Sequence, residues 1–374
     1  MAEKDHEHYS SFNRLKFSLF DLVRSEKRFI FLVAFLLFLA GLFSPYPQIA
    51  MWFGFVLAAY SAVANDSIQT IGTFIVSNAH RKWYFLWIYI GLIFIVTVAY
   101  SYLVYDGDVS HQRLLTPGLD VAPTSFSFLQ LIAPLILIIL TRMRMPVSTT
   151  FLLLTIFSTK SSAVLSVLTK SVSGYLLAFV VSILLYFAAR KLSLFAFKGK
   201  PHFAWTIIQW ITSGTLWSVW VMQDAANIAV FLPRSLSLTQ FFLFTALIFS
   251  GLGLLFYMKG DRIQKIVSEK SGIADIRSAT MVDFIYALIL IYFKEVSEIP
   301  MSTTWVFLGL LGGRELAISI TKTRKKNRNR STKRTMKLIG KDILMAAIGL
   351  IVSLILAISI NPGLRGEFLD LIKF

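Results

Sequence analysis

The chain has 374 residues, of which 56% are apolar and 15% charged, with a formal net charge of +17. Soluble domains run nearer roughly 45–50% and about 25%, so this balance excludes an ordinary soluble domain. There is no cysteine, which excludes a disulfide framework, a thiolate metal site and a cysteine nucleophile. The histidines (His6, His8, His80, His111 and His202) are scattered. None pairs with another at the i, i+4 spacing of a helical zinc motif.

Residues 1–28 are polar and mixed in charge, ending in Arg24, Lys27 and Arg28. They predict a cytoplasmic N-terminal segment before a first span that is retained, since no small-residue cleavage site follows the apolar run at Phe29. Apolar segments follow at about 29–43, 48–64, 84–104, 126–141, 163–189, 204–222, 236–258, 279–293 and 342–360. A bilayer crossing takes about 20 such residues. The stretches 147–158 and 301–312 are shorter and follow Pro146 and Pro300. Short, proline-bounded apolar segments predict re-entrant hairpins or broken helices lining a cavity.

The polar stretches read as loops. Residues 105–125 carry Asp106, Asp108 and Asp120 with few bases and read as external, and 191–203 form a basic connector. Residues 259–277 are mixed in charge and suggest a short surface helix. Eight bases lie between Lys322 and Arg334. They could form a nucleic-acid patch, but no nucleic-acid module surrounds them. A cytoplasmic loop over 321–341, beside anionic lipid, obeys the positive-inside rule. The expected order is therefore a segment 1–28, a first membrane unit 29–190, the connector 191–203, a second unit 204–320, the loop 321–341, and a last helix and tail over 342–374.

Two motifs recur. MPVSTTFLLLTIFS (145–158) matches IPMSTTWVFLGLLG (299–312) without a gap, with Pro146 and Pro300 154 positions apart. VANDSIQTIG (63–72) matches VMQDAANIAV (221–230), with Asp66 and Asp224 158 positions apart. Two motifs in one order at nearly one offset argue for duplication. The expected fold is all-α and polytopic, with two internal repeats, taken as inverted, each carrying a re-entrant hairpin. Transporters place their sites between such repeats.

The recurring residues suggest chemistry. Ser148, Thr149 and Thr150, like Ser302, Thr303 and Thr304, follow a proline as at a helix start. Taken singly, each is an ordinary N-cap. Taken as a pair, unpaired N–H groups, the positive helix end and six hydroxyls could grip a tetrahedral oxyanion from two sides. Asn65, Asp66, Gln69, Thr70 and Thr73 offer hard oxygen ligands for Na⁺, as do Gln223, Asp224 and Asn227. Carboxylates within spans are costly and usually functional, although these aspartates could also mark interfacial helix ends. Arg234 could assist the anion or snorkel to headgroups. Asp283 is a candidate proton or cation site, or a partner for a neighbouring helix. Gly312-Gly313-Arg314-Glu315 lacks the P-loop pattern, and no nucleophile elbow is present. No catalytic residue is assigned and no enzyme is expected.

These motifs resemble the inorganic phosphate transporter (PiT) family of sodium/phosphate symporters. That family carries Gly-Ala-Asn-Asp-x-x-Asn in each half with Pro-x-Ser-Thr-Thr downstream. Asn65-Asp66-Ser67-Ile68-Gln69 is similar to the first signature, and Gln223-Asp224-Ala225-Ala226-Asn227 to the second. The likeness covers about 60–320 and includes Lys259–Glu315. It implies an inverted-repeat helical fold and symport of phosphate with Na⁺ or H⁺, cations at Asp66 and Asp224 and the anion at the Ser-Thr-Thr tips. Gln69 and Gln223 replace asparagines, and Val230 replaces a glycine. Arg234 could stand in for a missing cation. Sulfate is the alternative anion, and an anion channel is a more distant alternative. The implied setting is a plasma or inner membrane with lipids as neighbours. No resident cofactor and no nucleic acid are expected, and a homodimer is left open.

Overall fold

The computed structural model describes residues 26–143, 145, 147–196, 201–258, 276–321 and 325–372. Twelve α-helices lie within them: α1 Lys27–Phe43, α2 Pro47–Thr70, α3 Gly72–Ser77, α4 Trp83–Val104, α5 Phe128–Arg142, α6 Ser161–Ala196, α7 Ala204–Ala229, α8 Leu238–Tyr257, α9 Ile276–Val296, α10 Thr303–Ile320, α11 Lys325–Ile360 and α12 Pro362–Ile372. No strand occurs among the described residues. Six helices (α2, α4, α6, α8, α9 and α11) are long and apolar enough to cross a membrane. The expectations for Pro146, for residues 1–25, for 197–200 of the connector and for the surface helix between 259 and 275 lie outside the described residues.

Local chemistry sets several helix starts. Pro47 and Pro362 occupy the first helical position, where a missing N–H costs nothing. Ser127 and Ser237 cap α5 and α8 through reciprocal capping boxes with Gln130 and Gln240. Each satisfies two otherwise orphaned groups.

Burial is the reverse of a soluble protein. Phe31, Phe38, Leu103, Leu165 and Leu184 are exposed on the outer faces, whereas Asp66, Asp224, Asp283 and Arg113 are at most 1% exposed. Such a surface is costly against water and favourable against hydrocarbon.

Three boundaries differ from the sequence expectations. The basic stretch is helical from Lys325 and continuous with the apolar part of α11. Lys and Arg are good helix formers, and no proline or glycine interrupts them before Gly340. Likewise α6 runs on to Ala196, into the connector, ahead of Gly199 and Pro201. The apolar stretch expected to end at 312 instead belongs to α10, which continues to Ile320.

That continuation depends on glycine. The main packings are α6 on α10, α7 on α9, α4 on α8 and α2 on α5, with α11 lying over residues 150–157. A Cβ on Gly309 would lie 2.3 Å from the Tyr175 carbonyl oxygen, and one on Gly313 would lie 2.2 Å from that of Phe179. This small-xxx-small spacing lets the backbones of α6 and α10 touch. Gly313→Val should push them apart at about 1–3 kcal/mol or more, read as a lower thermal midpoint and less monodisperse protein in detergent. Gly340→Ala, with nothing within 4 Å of its Cβ, should lower neither the midpoint nor the monodispersity, since alanine is the better helix former.

Candidate ion-binding site

The helices α2 and α7 carry the aspartates in their last two turns. Both Asp66 and Asp224 are fully buried. One turn on, Gln69 Nε2 donates to Asp66 Oδ1 at 3.3 Å and Asn227 Nδ2 donates to Asp224 Oδ1 at 2.7 Å. Asn65 Nδ2 also donates to Asp66 Oδ1, at 2.8 Å, and to the Val147 carbonyl at 3.0 Å. Thr70 bonds back to the Asp66 carbonyl. Gln223 Nε2 donates to the Leu290 carbonyl on α9 at 3.2 Å.

All six Ser-Thr-Thr side chains are buried, and the two segments meet. Thr150 Oγ1 donates to the Met301 carbonyl at 3.0 Å, and Thr304 Oγ1 to the Val147 carbonyl at 3.4 Å. Met301 and Val147 hold the same place in the two motifs, so the bonds are exchanged crosswise. The amides cross too. Gln69 donates to Thr304 at 3.2 Å, while Asn227 donates to Thr149 at 3.1 Å and Thr150 at 3.3 Å. Asp224 joins both segments, accepting from Thr303 at 2.5 Å and Thr150 at 3.4 Å.

The serines do the local work. Ser148 Oγ accepts from the Phe151 N–H and Ser302 Oγ from the Trp305 N–H, each at 3.2 Å. The second segment then opens the 18-residue helix α10. The first does not open an α-helix. Thr150–Leu154 form a π turn and Thr155–Phe157 a 3₁₀ turn. The Thr155 hydroxyl donates to the Phe151 carbonyl and competes with the backbone ladder there. Only the second segment therefore stands at the start of an α-helix.

Four buried acceptor oxygens have no donor: Asp66 Oδ2, Gln69 Oε1, Gln223 Oε1 and Asn227 Oδ1. Orphaned buried acceptors are rare and costly. Hard oxygens of this kind suit Na⁺ or a proton. No cluster of three or more His, Cys, Asp or Glu occurs among the described residues.

Arg234 is not brought to the Ser-Thr-Thr segments. Its guanidinium donates to the carbonyls of Leu119, Val121, Val230 and Leu232. Burial draws it down to about 10, opposed by the carboxylates of Asp108 and Asp120. It ties the loop after α7 to the acidic loop between α4 and α5. Asp283 accepts from Thr73 and from Ser213, each at 2.6 Å, and so links α3 and α7 to α9.

Several residues near the site were not anticipated. Tyr286 donates to the Thr303 carbonyl at 2.9 Å, and the Ser302 N–H donates to Ser171 Oγ at 2.8 Å. Lys170 donates to the carbonyls of Ser297 and Ile299 just before the second segment. Arg113 comes from the acidic loop yet is fully buried. It is delivered by two consecutive left-handed residues, His111 (φ 53°) and Gln112 (φ 64°). Non-glycine residues there cost about 1–3 kcal/mol each. Asp108 offsets this by accepting from the Ser110 and Gln112 N–H groups and the Ser110 hydroxyl. Burial first, then the charges of Arg113 and Lys294, pull His111 down to about 4.

A comparison with protein-family models gives no match, and neither curated proteins nor solved structures give one.

Proposed function

We propose that the chain is a secondary symporter that carries inorganic phosphate with Na⁺ or H⁺ and resembles the inorganic phosphate transporter family. One observation carries the reading. Two Ser-Thr-Thr segments from different halves exchange hydrogen bonds crosswise beside two buried carboxylates, and four acceptor oxygens around them lack donors.

The packing supports a duplicated fold with swapped helices. The pair α2–α5 corresponds in order to α7–α9. The helix after the first segment, α6, packs on the second half's α10, and α11 packs on the first segment's turns. Rocking of one half against the other would expose the segments to each side in turn. The bases that flank the first span support a cytoplasmic N-terminus.

Coupling follows from the shared donors. A cation on Asp66 Oδ2 and Gln69 Oε1 fixes the Gln69 amide, whose Nε2 already donates to Thr304. Thr304 must then point its own proton elsewhere, and its bond to Val147 is long at 3.4 Å. The Thr304 hydroxyl can donate that hydrogen bond to an oxyanion instead. The opposite charges also reduce each other's cost in a low-dielectric site.

The test is uptake of labelled phosphate and of labelled sulfate into proteoliposomes, with Na⁺, pH or no gradient. Phosphate should accumulate above its equilibrium level under an inward Na⁺ or H⁺ gradient. Accumulation of sulfate alone would change the substrate, and flux without accumulation would favour a channel. If neither anion moves or binds, the reading fails.

A further inference from the structure

The approaches to the two Ser-Thr-Thr segments are held in different ways. Loop 105–125 lies at the end of α11 away from its bases. There Asn361 donates to the Ser158 carbonyl, and the Thr159 N–H donates to the Gly118 carbonyl at 2.9 Å. The loop is strapped to the second half. The Leu236 N–H donates to the Gly107 carbonyl at 2.9 Å, Ser235 Oγ donates to the Asp106 carbonyl at 2.6 Å, and Arg234 holds the carbonyls of Leu119 and Val121. From this loop Arg113 reaches inward with no exposure. Its Nε donates to the Met222 carbonyl on α7 at 3.0 Å. Its Nη1 donates to the carbonyls of Glu298 and Ile299 at 3.1 and 3.2 Å. Those two residues lie between α9 and the second segment, so Arg113 pins the approach to that segment against α7.

The approach to the first segment is held at the other end of the bundle, where α5 closes. Arg142 pairs there with Glu26 and lies over the Phe29 ring at 4.4 Å, and the paired side chains are 30% and 34% exposed. A buried guanidinium donating to three carbonyls is a firm closure, whereas a part-exposed ion pair holds weakly. We propose that loop 105–125 is a gate on the face away from the bases of α11, pinned shut by Arg113. The Arg142–Glu26 pair is the weaker latch on the basic face, so that without substrate the protein opens there more readily. The pin is releasable. Arg113 Nη2 is buried without a partner, and it regains a water partner when the gate opens.

This inference rests on the symporter reading, but its test measures access and needs no transport. The chain has no cysteine, so a single introduced thiol reports alone. Met301 and Val147 hold the same place in the two motifs and are at most 1% exposed. Met301→Cys and Val147→Cys would be labelled with a charged maleimide on the purified full-length protein in detergent, where both faces meet the reagent. Val147→Cys should react faster. Adding Arg113→Gln should speed Met301→Cys by about tenfold or more, because labelling of a buried thiol follows the open population, without speeding Val147→Cys. Adding Arg142→Gln should speed Val147→Cys alone. Faster labelling of Met301→Cys at the outset, no change on adding Arg113→Gln, or an equal rise at both thiols would overturn the gate, while phosphate uptake is judged separately. Should Arg113→Gln not be recovered folded, Arg113→Lys takes its place. A compact ammonium cannot span the three carbonyls as the guanidinium fork does, so a smaller rise at Met301→Cys is expected, and an unchanged rate refutes the pin.

Discussion

Asp66→Asn should abolish Na⁺-driven uptake while leaving the protein folded. Asparagine keeps an Oδ1 for Asn65 and Gln69, which now donate to the aspartate at 2.8 and 3.3 Å. What it removes is the charge on the side with the orphaned oxygen. A unit charge about 4 Å from a cation is worth about 4 kcal/mol at an effective dielectric of 20. That is about a thousandfold in affinity, enough to take Na⁺ binding out of any useful range. Without Na⁺ the variant should be as stable as the wild type or more so, because an unpaired buried charge has been neutralised. Adding Na⁺ should raise the wild-type thermal midpoint by mass action and leave the variant's unchanged. A variant that still gains stability from Na⁺, or still drives uptake, would remove Asp66 from the site.

Much of the architecture is legible in the chain because a bilayer reduces the problem to counting apolar residues. A described helix lies on each of the nine apolar segments. The basic run reads as a loop from its polarity yet is helical, because its lysines and arginines are good helix formers with an apolar helix to extend. The recurrence of Asp66 with Asp224, and of the two Ser-Thr-Thr segments, pointed to residues that the fold gathers into one network. The crosswise pattern was not legible, since it joins Gln69 to Thr304 and Asn227 to Thr150 over long separations. Arg234 stands in an apolar stretch of the chain, where a lone base suggests an anion partner, yet four loop carbonyls consume it. Arg113 was overlooked because it lies in a stretch read as an external acidic loop. A lone base following Asp106 and Asp108 was the available signal, and only the turn built on Asp108 shows where it goes.

The isosteric change Asp224→Asn should behave in the opposite way to Asp66→Asn, and this contrast is the sharper test of how the halves differ. Asp224 accepts from Thr303 at 2.5 Å and from Asn227 at 2.7 Å. Hydrogen bonds to a charged group contribute about 1.5–3 kcal/mol each, roughly twice the neutral kind. Neutralising the acceptor weakens both. A loss of about 2–4 kcal/mol is expected, seen as a lower midpoint in Na⁺-free detergent, where Asp66→Asn shows no loss. Since Asp224 alone bonds to hydroxyls of both Ser-Thr-Thr segments, their register should also loosen and anion affinity should fall. Equal behaviour of the two asparagine variants would mean that the two carboxylates do the same work.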